Sequence, residues 1–268
     1  MDERTTKPSP EGGRPPALSV IIPTLNEARS IGPTLDALMS GQGGSVEVIV
    51  VDGGSLDATA EIARGRGARL VTSGRGRGAQ MHAGACAARG AALWFLHADT
   101  LPSAGCSEAV ARALGDPGVV AGNFSVRFDG DRRAARFLTW LYPRLRLLGL
   151  CYGDSGIFVR REAYGQVGGF RPFPIFEDLD LVRRLQKTGR VVYLPDVVTT
   201  SSRRFEGRSF ALTFARWAFL QALYWLGVPP RSLGRMYAPV RGAGGKPRRG
   251  GDDPAGAPRA ARSGGSRQ

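Results

Sequence analysis

Four short apolar runs pace the N-terminal half of the chain, at residues 18–23, 46–51, 68–71 and 93–96, and each stops abruptly at proline or a polar word. Between them Ile31, Leu35 and Leu38 recur at helical spacing, residues 57–63 open a second helical pattern, and residues 78–91 are alanine-rich. Runs of this length bounded by turn residues read as buried strands, and recurrence every three to four residues reads as helix. Strand and helix alternating in this way make βαβ units, hence an α/β fold with a mainly parallel central sheet flanked by helices. Ligands of such sheets sit beyond the carboxyl ends of the strands. The chemistry is therefore sought in the words that end the runs.

The second half changes character. Residues 119–128 read as a strand, residues 137–150 as an aromatic, arginine-bearing helix broken at Pro143, and residues 156–159 as another strand. A short helix over 162–167, a helix from Phe176 to Lys187 and a strand over 191–194 follow. Residues 209–228 are apolar and aromatic, but Arg216 and Gln221 interrupt them. An arginine at mid-membrane costs about 2.5–3.5 kcal/mol, so this segment is expected to lie on a membrane or pack on the core. Phe210, Phe214, Trp217, Leu220 and Tyr224 recur at helical spacing just after Arg203, Arg204 and Arg208. They form the stripe expected to meet an anionic membrane surface.

Length and charge bound the rest. A chain of 268 residues can bury one sizeable core. Its 37 basic and 23 acidic residues leave a net charge of +14, which fits an anionic ligand or an anionic surface. Part of that excess lies in the ends: residues 241–268 hold seven Arg or Lys against two Asp, with little to bury. Residues 1–16 and 241–268 are expected to be disordered tails around a folded domain over 17–205 and a helical segment over 206–240. Three cysteines, Cys86, Cys106 and Cys151, lack metal-type spacing, and no apolar leader precedes the first strand. The expectation is a reduced, cytoplasmic protein, peripheral on the inner face of the membrane, with no specific nucleic-acid partner.

Asp52 ends the second run and Asp99 follows the fourth, on the same sheet edge as the Asn26-Glu27 loop after the first. Acids there can hydrogen-bond a ribose or hold a divalent metal against a phosphate. Residues 74–79, Gly-Arg-Gly-Arg-Gly-Ala, match the G-x-G-x-x-A dinucleotide fingerprint, but in the third βα unit and with arginines in the turn. A diphosphate suits such a turn equally well. Glu177, Asp178 and Asp180 crowd one helix start, more acid than dipole compensation needs, and a positioned carboxylate there can act as general base. Arg203 and Arg204 follow the last strand as cations suited to a departing diphosphate.

Residues 20–27, 50–55, the His97-Ala98-Asp99 word and Phe176-Glu177-Asp178 occur in the order of one family. Over residues 18–205 the chain resembles the family-2 glycosyltransferases, inverting enzymes of GT-A fold that use nucleotide-activated sugars. Residues 152–158 and 201–205 resemble its bacterial subgroup assigned to arsenosugar biosynthesis. The resemblance implies that Pro23, Asn26, Glu27, Asp52, Gly53, Arg77, His97, Ala98, Asp99, Arg203 and Arg204 line the donor, with Asp52 on the base and Glu27 on the ribose. It implies that Asp99, with His97, holds Mg2+ or Mn2+. Asp178 would be the base beside Glu177, and Gly153, Asp154 and Glu177 would face an acceptor hydroxyl. His97 departs from the family's usual Asp-x-Asp metal word, and magnesium prefers oxygen ligands. The Gln-x-x-Arg-Trp word of processive synthases is absent, so transfer of a single sugar is expected. A nicotinamide-dependent oxidoreductase and a non-catalytic binder of anionic surfaces are the competing readings.

Overall fold

The computed structural model describes residues 16–40, 46–130, 133–147, 152–202 and 209–236. Its centre is an eight-stranded sheet. β1 (Leu18–Thr24), β2 (Val46–Asp52), β3 (Arg69–Thr72) and β4 (Ala92–Phe95) pair in parallel in the order β3-β2-β1-β4. The first three are each followed by the helix of a βαβ unit: α1 (Ile31–Ser40), α2 (Thr59–Gly65) and α3 (Arg77–Ala87). The period of two is plain in β1. Val20 and Ile22 pack with α1, while Ile21 points to the opposite face, against Met81 and Ala85 of α3.

The other half of the sheet is mixed. β5 (Thr100–Pro102), α4 (Cys106–Leu114) and β6 (Val119–Phe128) lead into α5 (Arg133–Leu147). β7 (Ile157–Arg160) then runs antiparallel to both β4 and β6. α6 (Arg161–Gln166), α7 (Glu177–Leu185) and β8 (Arg190–Thr200) complete the order β4-β7-β6-β8-β5. β8 is longer than the run at 191–194 indicates, because it continues past Pro195 beside β6 after a register shift. β5 and α4 are elements the sequence reading does not contain.

Two expectations are corrected. α5 passes through Pro143 instead of breaking there. The proline withdraws one backbone hydrogen bond, but both sides of it are anchored: before it Leu138 lies in the core and Tyr142 meets Phe128 at 4.9 Å and Tyr152 at 5.8 Å, and after it Leu145 packs against the cluster that holds Phe176 and Leu179. The second concerns α8 (Phe210–Trp225), which α9 (Pro230–Met236) follows. Its Phe210-to-Tyr224 stripe does not face outward: Leu220 is buried with Phe176 and Leu179, and Trp217 stacks edge-on to Tyr152 at 5.1 Å. Phe210 and Phe214 pack against the main core. No helix among the described residues is long and apolar enough to cross a membrane.

One polar contact ties the sheet edge together. The Gln80 side chain on α3 donates from Nε2 to the carbonyls of Thr24 and Val51, each at 2.8 Å, at the ends of β1 and β2. Gln80 is buried, so a residue of the same size without the amide strands both carbonyls away from water. Gln80→Met is expected to lower unfolding stability in urea by about 2 kcal/mol. A loss within the error of the measurement would mean that the strand ends hold themselves.

Candidate active site

The loops after β1 and β2 are stitched to each other. Asn26, in the left-handed region at φ 58°, accepts the Leu56 amide on Oδ1 at 2.8 Å, and its own amide donates to Ser55 Oγ at 2.9 Å. An asparagine tolerates that backbone because its short amide bonds locally. The Glu27 amide donates to Thr59 Oγ1 at 2.8 Å. Asp52 turns its own loop: Oδ2 accepts the Gly54 and Ser55 amides at 3.1 and 3.0 Å, and Oδ1 accepts the Ser55 hydroxyl. Gly53 lies so close to Gln80 that a Cβ would sit 3.0 Å from its Nε2. Pro23 lies within β1, one residue before its end.

A second group forms where β4 and β7 run side by side. Their antiparallel register sets Phe95 opposite Ile157, which brings the residues before β7 alongside His97. Gly153–Ser155 make a single tight turn there. His97 Nδ1 and Asp154 Oδ1 lie 3.0 Å apart, and Tyr142 of α5 donates its hydroxyl to Asp154 Oδ2 at 3.1 Å. The carboxylate assigns the ring proton to Nδ1, which leaves Nε2 presenting a lone pair in the neutral ring. That Nε2 is buried and has no hydrogen-bond partner among the described residues. Asp99 occupies the turn leading into β5, with Ala98 buried before it.

The head of α7 closes the group. Glu177 and Asp178 are 1% and 4% exposed, a burial that carboxylates accept only with partners. Glu177 Oε1 accepts from Arg77 Nε of α3, while its Oε2 is buried without a partner. Asp178 Oδ2 accepts the Gly153 amide at 2.6 Å and Oδ1 the Leu179 amide at 2.8 Å. A Cβ on Gly153 would lie 3.0 Å from His97 Nε2 and 3.3 Å from Asp178 Oδ2, so the glycine leaves a gap between the imidazole and the carboxylate. Asp180 takes no part: it bridges Arg171 at 3.2 Å and Arg184 at 2.7 Å.

The electrostatics differ sharply between neighbours. Burial pushes the Asp178 carboxyl above its ordinary value of 3.8, and the Glu177 charge pushes the same way. Arg77 and the Gly153 and Leu179 amides pull it back without reversing it. Burial lowers the Arg77 pKa, but Glu177, Asp178 and Asp154 override it and hold the guanidinium firmly charged.

The fold gathers His97, Gly153, Asp154, Glu177, Asp178 and Arg77 into one group. Asn26, Asp52 and Gly53 lie in the neighbouring loops on the same sheet edge, as expected. Arg203 and Arg204 lie outside the described residues. Arg77 is engaged with Glu177, so the turn at 74–78 is organised around a carboxylate. Tyr142, Ser55 and Gln80 are additions. Their partners lie 12, 29 and 56 residues away, beyond any local signal.

Among the described residues, no three His, Cys, Asp or Glu side chains converge as a metal cage. The donor set still fits a divalent cation that keeps most of its shell for other oxygens, as magnesium and manganese do with substrate phosphates. His97 Nε2 and the Asp99 carboxylate are the two protein atoms suited to it.

A family model described as Glycosyl transferase family 2 matches residues 19–167, which ends before the α7 acids. A PGL/p-HBAD biosynthesis glycosyltransferase of Mycobacterium tuberculosis is 31% identical over 207 residues, covering 72% of this chain and 79% of that protein. Two solved structures share the fold. Glucosyl-3-phosphoglycerate synthase from M. tuberculosis, in complex with Mn2+, UDP and glucosyl-3-phosphoglycerate, has a TM-score of 0.56 at 22% identity and covers 80% of this chain and 81% of that one. A mannosyltransferase from Pyrobaculum calidifontis, in complex with GDP-Man and Mn2+, has a TM-score of 0.61 at 24% identity and covers 81% and 66%. These relatives carry the family and not the arsenosugar subgroup, and none is an oxidoreductase.

Because Asp178 favours its neutral form in the fold, ionising it costs stability. That stability is present in full below about 3.8 and is lost as pH rises through the raised folded value. Asn at this position cannot ionise. The wild-type melting temperature is expected to fall relative to Asp178→Asn as pH rises through that window. A difference that stays flat from acid to neutral would contradict a buried charge here.

Proposed function

The chain belongs to glycosyl transferase family 2, and we propose that it moves one sugar from a nucleotide-diphosphate donor to an acceptor hydroxyl in a single inverting displacement. The observation that carries this reading is the unlike treatment of two adjacent buried carboxylates. Glu177 is bonded directly by Arg77, whereas Asp178 accepts from the Gly153 and Leu179 amides and keeps a raised affinity for a proton. A base is useful when its pKa approaches the working pH. Each Asp178 oxygen has a lone pair beyond the one its amide occupies, so it can still accept a proton.

The step balances without a covalent enzyme intermediate. The acceptor oxygen attacks the anomeric carbon, the bond from that carbon to the diphosphate oxygen breaks, and its electron pair leaves with the nucleotide. The acceptor's proton passes to Asp178 Oδ2 in the gap beside Gly153. Asn26, Glu27, Asp52 and Gly53 receive the nucleoside on the neighbouring loops. His97, oriented by Asp154, and Asp99 would hold Mg2+ or Mn2+. When bound, that metal supplies neutralising charge for the leaving group. An imidazole nitrogen in the metal word favours manganese over magnesium.

Two variants separate the roles. Asp178→Asn is expected to bind donor normally and to lose about 10²–10⁴-fold in kcat, the usual share of a general base. Glu177→Gln, which keeps a hydrogen-bond acceptor for Arg77, is expected to lose less. The reverse order, measured by nucleotide release under saturating donor, would make Glu177 the base.

The metal reading has its own test. Asp99→Asn is expected to remove the Mn2+-dependent rise in melting temperature that a UDP-, GDP- or dTDP-sugar produces in the wild type. If the variant keeps that response to Mn2+ undiminished, the metal sits elsewhere.

A further inference from the structure

The outward side of α8 is not the surface of a soluble helix. Leu212, Phe219, Trp225 and Leu226 are 72%, 54%, 54% and 81% exposed. Leu212, Phe219 and Leu226 recur at intervals of seven, so they share one stripe, and Ala215, Ala218 and Ala222 are exposed beside them. A surface helix ordinarily carries polar residues there. At 1.5 Å per residue the stripe runs for about 20 Å.

α5 extends this surface. Phe137 sits edge-on to Phe210 and Phe214 at 5.9 and 5.8 Å, and Phe137 and Trp140 are both exposed. The helices that carry the patch are basic, and Asp129, between Phe128 and Gly130, is an acid beside them. α5, α8 and α9 together contain seven Arg and no Asp or Glu. Arg144 lies 3.8 Å over the Trp140 ring, its charge at the rim of the apolar surface. At the foot of α5 an open cavity of about 350 Å³ is lined by Arg127, Phe128, Gly130, Arg136, Thr139 and Trp140. Two guanidinium groups and an aromatic wall in one cavity suit a phosphate that carries an apolar body.

We propose that this face docks on an anionic lipid bilayer, with a lipid phosphate between Arg127 and Arg136 and with Trp140, Leu212, Phe219, Trp225 and Leu226 at the acyl boundary. The charge selects the occupant. A second copy of the chain would bring two sets of arginine-bearing helices together, whereas an anionic leaflet complements them. An interfacial helix with aromatic and aliphatic residues on its buried side and arginines around it binds by both terms at once. The docking goes beyond the catalytic reading and does not depend on it.

The test is flotation of the full chain with vesicles of phosphatidylcholine alone or mixed with phosphatidylglycerol. Flotation with the anionic vesicles and not the neutral ones is expected. The triple variant Leu212→Ser, Phe219→Ser, Trp225→Ser and the double variant Arg127→Gln, Arg136→Gln are each expected to float about tenfold less, with the basic residues 241–268 left intact. Variants that float like the wild type would assign binding to charge elsewhere and overturn the proposal. So would loss of flotation on adding inorganic phosphate alone at matched ionic strength, which would make the cavity a free-anion site. A dimer in sedimentation that the triple variant abolishes and vesicles leave intact would make the face a self-interface. Quenching of wild-type tryptophan fluorescence by brominated lipids gives a readout without substitutions, and its absence also overturns the proposal.

Discussion

Arg77 makes the head of α7 possible. Two adjacent carboxylates with almost no exposure repel each other and both lose hydration, and such a pair persists only when a cation stands beside it. The guanidinium comes from α3, three residues before the Gln80 amide that holds the ends of β1 and β2. Positions three apart lie on one helix face. A single turn of α3 therefore fixes both halves of the site: the nucleoside-side loops through Gln80, and the acids through Arg77. The close approach of α3 to the sheet permits this. At Gly84 a Cβ would stand 2.4 Å from Ile21 and 2.8 Å from Val51, so any side chain there would lift the helix off the strands.

The sheet's first half was legible because its signals are local. Apolar runs, their polar endings and helical spacing place β1 to β4 and α1 to α3, although α3 ends at Ala87, short of the end of the alanine-rich run, and the βαβ alternation implies their parallel pairing. What was not legible is pairing over distance. The Arg77–Glu177 contact spans 100 residues, and the Asp154–His97 contact depends on an antiparallel strand that a mainly parallel reading does not contain. Asp52 is expected to face a nucleoside, and in the fold both its oxygens also accept bonds from its own turn. A carboxylate at a strand end carries the same sequence signal for either role. Pro143 misled for a related reason: the local penalty was real, and packing of Leu138 and Tyr142 outweighed it.

The replacement of an acid by His97 becomes intelligible beside Asp154. An imidazole cannot supply a negative charge, but a carboxylate hydrogen-bonded to its far nitrogen orients the ring. His97 and Asp154 together thus place one negative charge and one directed lone pair where an acid alone would place the charge directly. The arrangement also recruits α5, since Tyr142 holds the other oxygen of Asp154. A change on α5 can in this way reach the reacting group without touching it.

α8 shows why its orientation could not be read from the chain. A helix that is apolar on every side gives no phase, and its amphipathic stripe can be drawn on either face. The structure resolves the ambiguity through strain. Phe176 adopts φ 62°, a conformation that costs a bulky residue about 1–3 kcal/mol, and it aims the two acids that follow it. Tyr224 of α8 stacks on Phe176 with centroids 4.9 Å apart, and Leu220 is buried beside it. The inner stripe is therefore required to hold the acids in place, and that requirement cannot explain the apolar residues left outside. Two apolar faces on one helix call for two apolar partners. The first is the floor of the active site, and the second is what the proposed docking on a bilayer would supply.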